Sequence, residues 1–234
     1  MALAKLKMDT TDARLAGVVV PEGAAWSNDV RADALSRVSQ MGLPTKRDEY
    51  WKYTDPASLT APVAPKASLF INDEGPLFDA VDRVRIVFVD GVFDADASDD
   101  LVAEGVEITR LADAMQTDIH WVKDLYGVLE KRGQTPVARP LAALNTALAT
   151  DGVVIRVTGK AAKPINFIYL HKDETSDAAL HNVIKVEAGA EMTLLETGPA
   201  AARFSKTLEV DVADDGAFHH VRAQGRDHER RAVT

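Results

Sequence analysis

From Gly152 to Gln224 the chain runs in short blocks in which apolar residues alternate with polar ones: VVIRV, INFIYL, HNVIKVEAG, AEMTLLETG, FSKTLEVDV and AFHHVRAQ. A two-residue period rich in Val, Ile and Leu predicts strands. Gly159, Gly189, Gly198 and Gly216 punctuate the blocks as turns. Short strands of even spacing predict a sandwich, a barrel or a coil of stacked rungs. A faint internal echo favours the coil. Gly189-Ala190 precedes EMTLLE, and 27 positions later Gly216-Ala217 precedes FHHVRA, with one insertion needed to align the flanks. Repeats that bury a face on their neighbours produce such echoes, and a sandwich requires none. A coil has no natural closure, and the closing residues RDHERRAVT contain no capping helix. We therefore expect the chain to be the front half of something longer, and its last strands, around Phe218 to Gln224, to pair with another copy or to be poorly ordered.

Upstream the period lengthens. Trp26, Val30, Ala34, Val38 and Met41 recur at three- and four-residue steps and predict an amphipathic helix. Ser27 or Asn28 would cap its start, and Gly42 with Pro44 would close it. A weaker helix is predicted over 12–19, ending at Pro21. Asp55-Pro56 opens a short helix that stops near Leu59, and the Pro/Ala-rich stretch 61–76 reads as a connector.

Val84 to Val89 is a strand, and Asp90-Gly91 followed by Val92-Phe93 predicts a hairpin. Residues 107–110 add a short strand. Ile119, Val122, Leu125, Tyr126 and Leu129 share one helical face, with Asp118 as cap and Gly133 as stop. Pro140 starts a further helix along Leu141, Leu144 and Leu148, ending at Asp151-Gly152. These elements divide the chain into a helical domain over 1–60, a mixed connector with a β-hairpin and helices over 61–150, and a strand core over 151–234.

Charge and composition narrow the function. With 36 acidic and 27 basic residues the net charge is -9, which argues against a sequence-independent nucleic-acid binder. The chain has no cysteine, which excludes disulfides and thiolate ligands from its own residues. Lys5 and Lys7 lack the apolar segment of a secretory signal, and no stretch is long enough to span a bilayer. A soluble, cytoplasmic protein is expected.

Candidate chemistry is sparse. His219 and His220 are adjacent and would point to opposite faces of a strand. His228 lies in a charged tail, and His171 and His181 flank a loop, so no metal site is predicted. Glu187, Glu191, Glu196, Glu209, Asp211, Asp214 and Asp215 supply acids, expected at turns and on a solvated face. Gly159-Lys160 lacks the upstream glycine of a phosphate loop. No catalytic or cofactor-binding residue is assigned. The remaining candidates are Trp51, Lys52, Tyr53 and Thr54, either a recognition surface or, as we expect, two aromatics that staple the helices onto the first strands while Lys52 stays solvated.

Four segments in order carry a resemblance. They are MGLPTKRDEYWKYTDPASL from Met41 to Leu59, FVDGVF from Phe88 to Phe93, PLAALNTAL from Pro140 to Leu148 followed by Asp151-Gly152, and VEAGA from Val186 to Ala190. Together they are similar to the SufB/SufD family of iron–sulfur cluster assembly scaffolds. Tyr50 stands where the family usually has a charged residue.

The resemblance implies an α+β, mainly β fold, with an N-terminal helical domain followed by the first rungs of a right-handed parallel β-helix, cut before its C-terminal part. It implies a scaffold subunit, not an enzyme, with a SufB-like scaffold and a SufC-like ATPase as partners of the parent. The iron–sulfur cluster and a reduced flavin belong to the parent complex, and none is expected on this chain. Self-association through an open coil end is expected, with no membrane or nucleic-acid partner. The alternative is a stand-alone β-helix enzyme or binding module for a carbohydrate or acyl substrate.

Overall fold

The architecture was taken from a computed structural model, which describes residues 2–69, 77–118, 120–198, 200–224 and 231–234. Six α-helices and eleven strands follow one another in these residues. The helices are α1 (Ala2–Leu15), α2 (Ala25–Met41), α3 (Ala57–Thr60), α4 (Leu111–Ala114), α5 (Val128–Arg132) and α6 (Pro140–Leu148). The first four strands are β1 (Val84–Val89), β2 (Val92–Phe93), β3 (Val102–Ala103) and β4 (Val106–Arg110). They are followed by β5 (Val153–Val157), β6 (Ile165–Leu170), β7 (Asp177–Val186), β8 (Glu191–Thr197), β9 (Arg203–Val212), β10 (Ala217–Ala223) and β11 (Arg231–Val233). The fold is α+β with mixed sheets.

After α6 every regular element among the described residues is a strand, as the alternation predicts. The strands enter two sheets by turns, in the orders β10-β8-β6-β1-β2 and β11-β9-β7-β5-β4-β3. From β7 onward each strand lies parallel to the strand two before it, as in Asp177↔Arg203 and Glu191↔Ala217. The echo in the sequence is thus a stack of two copies. Its register differs from the glycine spacing by one residue, because Ala217 and not Phe218 faces Glu191. Among the described residues antiparallel pairs occur only at the front, in β1–β2, β3–β4 and β4–β5.

Side-chain parity sorts the core. Val84, Ile86 and Phe88, then Ile165, Phe167 and Tyr169, then Met192 and Leu194 point between the sheets and form one buried cluster with Leu180, Ile184 and Phe204. The opposite face of the second sheet is also covered. Val154 and Val183 pack there on Leu111, Val122 and Tyr126. A third cluster joins α2 to α6 through Val38, Leu43, Leu141 and Leu144.

The Asp90-Gly91 hairpin forms as predicted, with φ of 50° and 83°, the two positive values that a two-residue type I′ turn requires. Its carboxylate also accepts hydrogen bonds from the Lys172 and Asp173 amides and the Ser176 hydroxyl, so the turn holds the β6–β7 loop.

Three helix expectations need correction. α1 ends at Leu15, where a helix over 12–19 was predicted, and its anchors are polar: Thr11 accepts from the Leu43 amide and Lys7 pairs with Asp48. Such contacts leave no apolar period to read. α2 starts at Ala25 without a side-chain cap. Ser27 lies inside the first turn, with its hydroxyl on the Ala24 and Met115 carbonyls, and Asn28 bonds to Gly23. The third is the helix expected from Asp118 to Gly133. It breaks into a 3-10 turn over Trp121–Asp124 and the short α5, because Gly127 takes a left-handed conformation between them. Ile119, part of that face, and residues 70–76 of the connector lie outside the described residues.

Candidate functional site

Two of the acids expected in solvent are buried, and each organises a polar site. Five others behave as expected: Glu187, Glu191, Asp211, Asp214 and Asp215 are partly or fully exposed, Glu187 pairing with Arg156 and Lys185 and Glu191 with Lys160. Glu196 and Glu209 overturn the expectation, for a reason visible in strand parity. Glu196 follows Met192 and Leu194 at two-residue steps and so points between the sheets. Glu209 points the other way along β9, toward the helices.

Between the sheets, the Glu196 carboxylate meets groups from three other strands. Tyr169 on β6 donates its hydroxyl at 3.0 Å, Lys206 on β9 donates to both oxygens at 2.5 Å, and His220 Nε2 on β10 lies at 2.8 Å. Lys206 reaches inward because it shares a face with Phe204 and Leu208. Burial by itself would raise the Glu196 pKa. The hydrogen bond from His220 and the charge of Lys206 outweigh it and hold the carboxyl down at about 2. Burial lowers the Lys206 ammonium from its ordinary value, against the pull of Glu196. It pushes the Tyr169 phenol well up.

On the other face of β9, Glu209 accepts from the backbone amides of Gly127 at 2.6 Å and Glu130 at 2.7 Å, and His181 Nε2 lies at 2.9 Å. The left-handed Gly127 turn aims those two amides at one point, which is why the helix breaks there. The ring of Tyr126 stacks on His181 with centroids 4.3 Å apart, and its hydroxyl donates to the Thr146 carbonyl. Burial would raise the Glu209 pKa, but His181 and the two amides lower it overall. Beside this site Arg37 forms a two-pronged pair with the buried Glu130, which also accepts from Thr146.

A third buried group links the layers. The Asn145 amide on α6 donates to the carbonyls of Leu180 and Ser205 and lies 3.0 Å from the Ser205 hydroxyl, so one side chain ties a helix to both β7 and β9. Asn145 sits inside the PLAALNTAL segment but was read there only as part of a helical pattern.

The Trp51–Thr54 segment is divided by the fold. Trp51 closes a 3-10 turn and packs, half-buried, against the α2–α6 cluster. Tyr53 is 90% exposed, so it staples nothing to the strands, and the Lys52 ammonium sits over its ring at 4.9 Å. Lys52 and Thr54 are exposed.

The histidines are dispersed. His171 contacts the Asp173 carbonyl, His120 accepts from the Val122 amide, and His181 and His220 serve different carboxylates; His228 lies outside the described residues. Among the described residues no group of three His, Asp or Glu side chains converges as a metal site. Glu196 and Glu209 have their oxygens engaged by donors, so these sites lock strands and helices together. No described helix is long and apolar enough to cross a membrane.

Comparison with known proteins agrees with this frame. Residues 78–166, which run from just before β1 into β6, match the family described as the SufBD protein N-terminal region. The chain is also 27% identical over 176 residues to the iron–sulfur cluster assembly protein SufD of Escherichia coli (strain K12). That match covers 69% of this chain and only 37% of the relative, so the chain spans well under half of the protein it resembles. The matched family region contains the Asp90-Gly91 turn, Asn145 and the Asp151-Gly152 step that begins β5. Over residues 78–166 the chain is thus similar to the SufBD protein N-terminal region, and more widely it is similar to SufD.

Proposed function

We propose that the chain is part of a scaffold subunit in an iron–sulfur cluster assembly complex, acting beside a SufB-like scaffold and a SufC-like ATPase. The family match over residues 78–166 carries this reading, since it covers the junction between the helices and the two sheets. In it the strand region is the start of a right-handed parallel β-helix. Support comes from strands that join the two sheets by turns and pair in parallel with the strand two before.

The reading assigns no chemistry to the chain's own side chains. The cluster is cargo, and a chain without cysteine offers it no thiolate. A reduced flavin, where one takes part, belongs to the whole complex, and the reading places that complex in the cytoplasm. Trp51 has a packing role here, with Lys52, Tyr53 and Thr54 solvated around it.

The test is co-purification of tagged full-length parent with SufB-like and SufC-like proteins from the same genome, alongside the 234-residue chain. Retention of both partners by the parent is the expected result. A parent that captures neither, under conditions where the two partners bind each other, would remove the scaffold reading.

A further inference from the structure

A small cavity of about 30 Å³ lies between the helices and the second sheet. Its walls come from α1, α3 and α6 and from the starts of β7 and β9, with Val233 of β11 at one side. Leu59, Leu141 and Phe204 make much of the lining apolar. Two polar residues border it as well. Arg14 and Asn145 each carry a side-chain atom that is shut off from solvent and has no hydrogen-bond partner among the described residues. In Arg14 that atom is Nε, and in Asn145, which is 2% exposed, it is Oδ1.

The rest of each side chain is committed elsewhere. Asn145 Nδ2 donates to the carbonyls of Leu180 and Ser205, and turning the amide over would set Oδ1 against those two oxygens. Oδ1 is therefore a fixed acceptor. Arg14 reaches the Asp177 carboxylate through Nη2 at 3.4 Å. It shares that carboxylate with Arg203, whose Nε and Nη2 donate to Asp177 and whose Nη1 donates to the Ala61 carbonyl. Arg14 Nε is left as a spare donor.

These two atoms select the occupant. An anion could accept from Nε but has no proton to give Oδ1. A cation could not accept from Nε and would sit beside two guanidinium groups. An apolar occupant would leave both atoms desolvated and unpaired, which is the costly state for a polar group. A neutral molecule that both donates and accepts meets both demands. At this volume that molecule is water, for which about 10–15 Å³ is enough. We propose that a buried water molecule is bound here, donating to Asn145 Oδ1 and accepting from Arg14 Nε, and that it fastens α1 to α6. The other anchors of α1 are polar too, Thr11 on the Leu43 amide and Lys7 on Asp48, so the water continues a seam of the same kind. The inference rests on this cavity alone and stands apart from the cluster-assembly reading.

Two measurements on the whole chain test this. A high-resolution crystal structure is expected to show a fully occupied water within hydrogen-bonding distance of both atoms. Oxygen-17 relaxation dispersion of the solvent counts the waters held in the interior. That count is expected to fall by one in Ala179→Val, whose added methyl groups enter the cavity. It should fall equally in Arg14→Lys, which keeps a charge for Asp177 but has no Nε. A cavity without density, or a peak that reaches only one of the two atoms, would overturn the proposal. So would the same count in the native chain and both variants. Thermal unfolding in sodium chloride and in sodium fluoride adds a third arm, and equal midpoints are expected. A rise specific to chloride that disappears in Arg14→Lys would assign the cavity to an anion and overturn the proposal.

Discussion

The Lys206 ammonium lies 2.5 Å from both oxygens of the Glu196 carboxylate, with the two side chains 3% and 1% exposed in the space between the sheets. A pair so placed forfeits nearly all its hydration, and its attraction is needed to offset that loss. It joins strands from opposite sheets, so breaking it disturbs more than one layer.

Removing one partner is therefore expected to be costly and removing both mild. Lys206→Met should lower unfolding stability by about 3–5 kcal/mol, because it strands a buried carboxylate. The double variant Lys206→Met/Glu196→Met should recover most of the loss. Urea unfolding of the four proteins in the cycle measures this, and a double variant as unstable as the single would show that the pair itself is not the source.

Acid should act through the same carboxylate. Its pKa is about 2 in the folded chain against an ordinary 4.5, so the stabilisation is complete above pH 4.5 and disappears as pH falls toward 2. Glu209, also lowered, adds in the same direction. At roughly 1.4 kcal/mol per unit, Glu196 contributes on the order of 3 kcal/mol. Urea midpoints taken at descending pH should fall through this window in the native chain, and less steeply in Glu196→Gln.

Gly198 should not tolerate a side chain. Its φ is 88°, and an added Cβ would lie 2.1 Å from the Tyr169 carbonyl oxygen. Gly198→Ala is expected to cost about 2 kcal/mol or more, because both the turn and the neighbouring strand must shift. Gly189, also left-handed but with open space around it, should lose less on the same change. Thermal unfolding of the two variants compares them directly.

The signature aromatics should separate in the same way. Trp51→Ala removes packing from the α2–α6 cluster and is expected to cost about 2 kcal/mol, given that the ring is only half-buried. Tyr53→Ala should stay within about 0.5 kcal/mol of the parent. If Tyr53→Ala unfolds the chain as readily as Trp51→Ala, the division between them is wrong.

Much of the strand region was legible because a period of two is a local property, set by the pleat and independent of any partner. The same parity placed Glu196 in line with Met192 and Leu194 and Lys206 in line with Phe204, so their burial could have been read. The expectation of solvated acids weighed residue type above position. The Asp90-Gly91 hairpin and α6 were legible for a related reason: turn chemistry, and proline at a helix start, act within a few residues.

What the amino-acid order determined by itself was therefore the run of strands, the turns between them, the two main helices α2 and α6 and the family they resemble. The tertiary structure alone decided where the polar groups converge. Gly127 breaks a well-patterned helix so that its amide and that of Glu130 can meet Glu209, some eighty residues away. Asn145 ties α6 to two strands, and Glu196 collects donors from three. A buried carboxylate or amide must find partners wherever the packed chain brings donors, and local spacing holds no record of that distance.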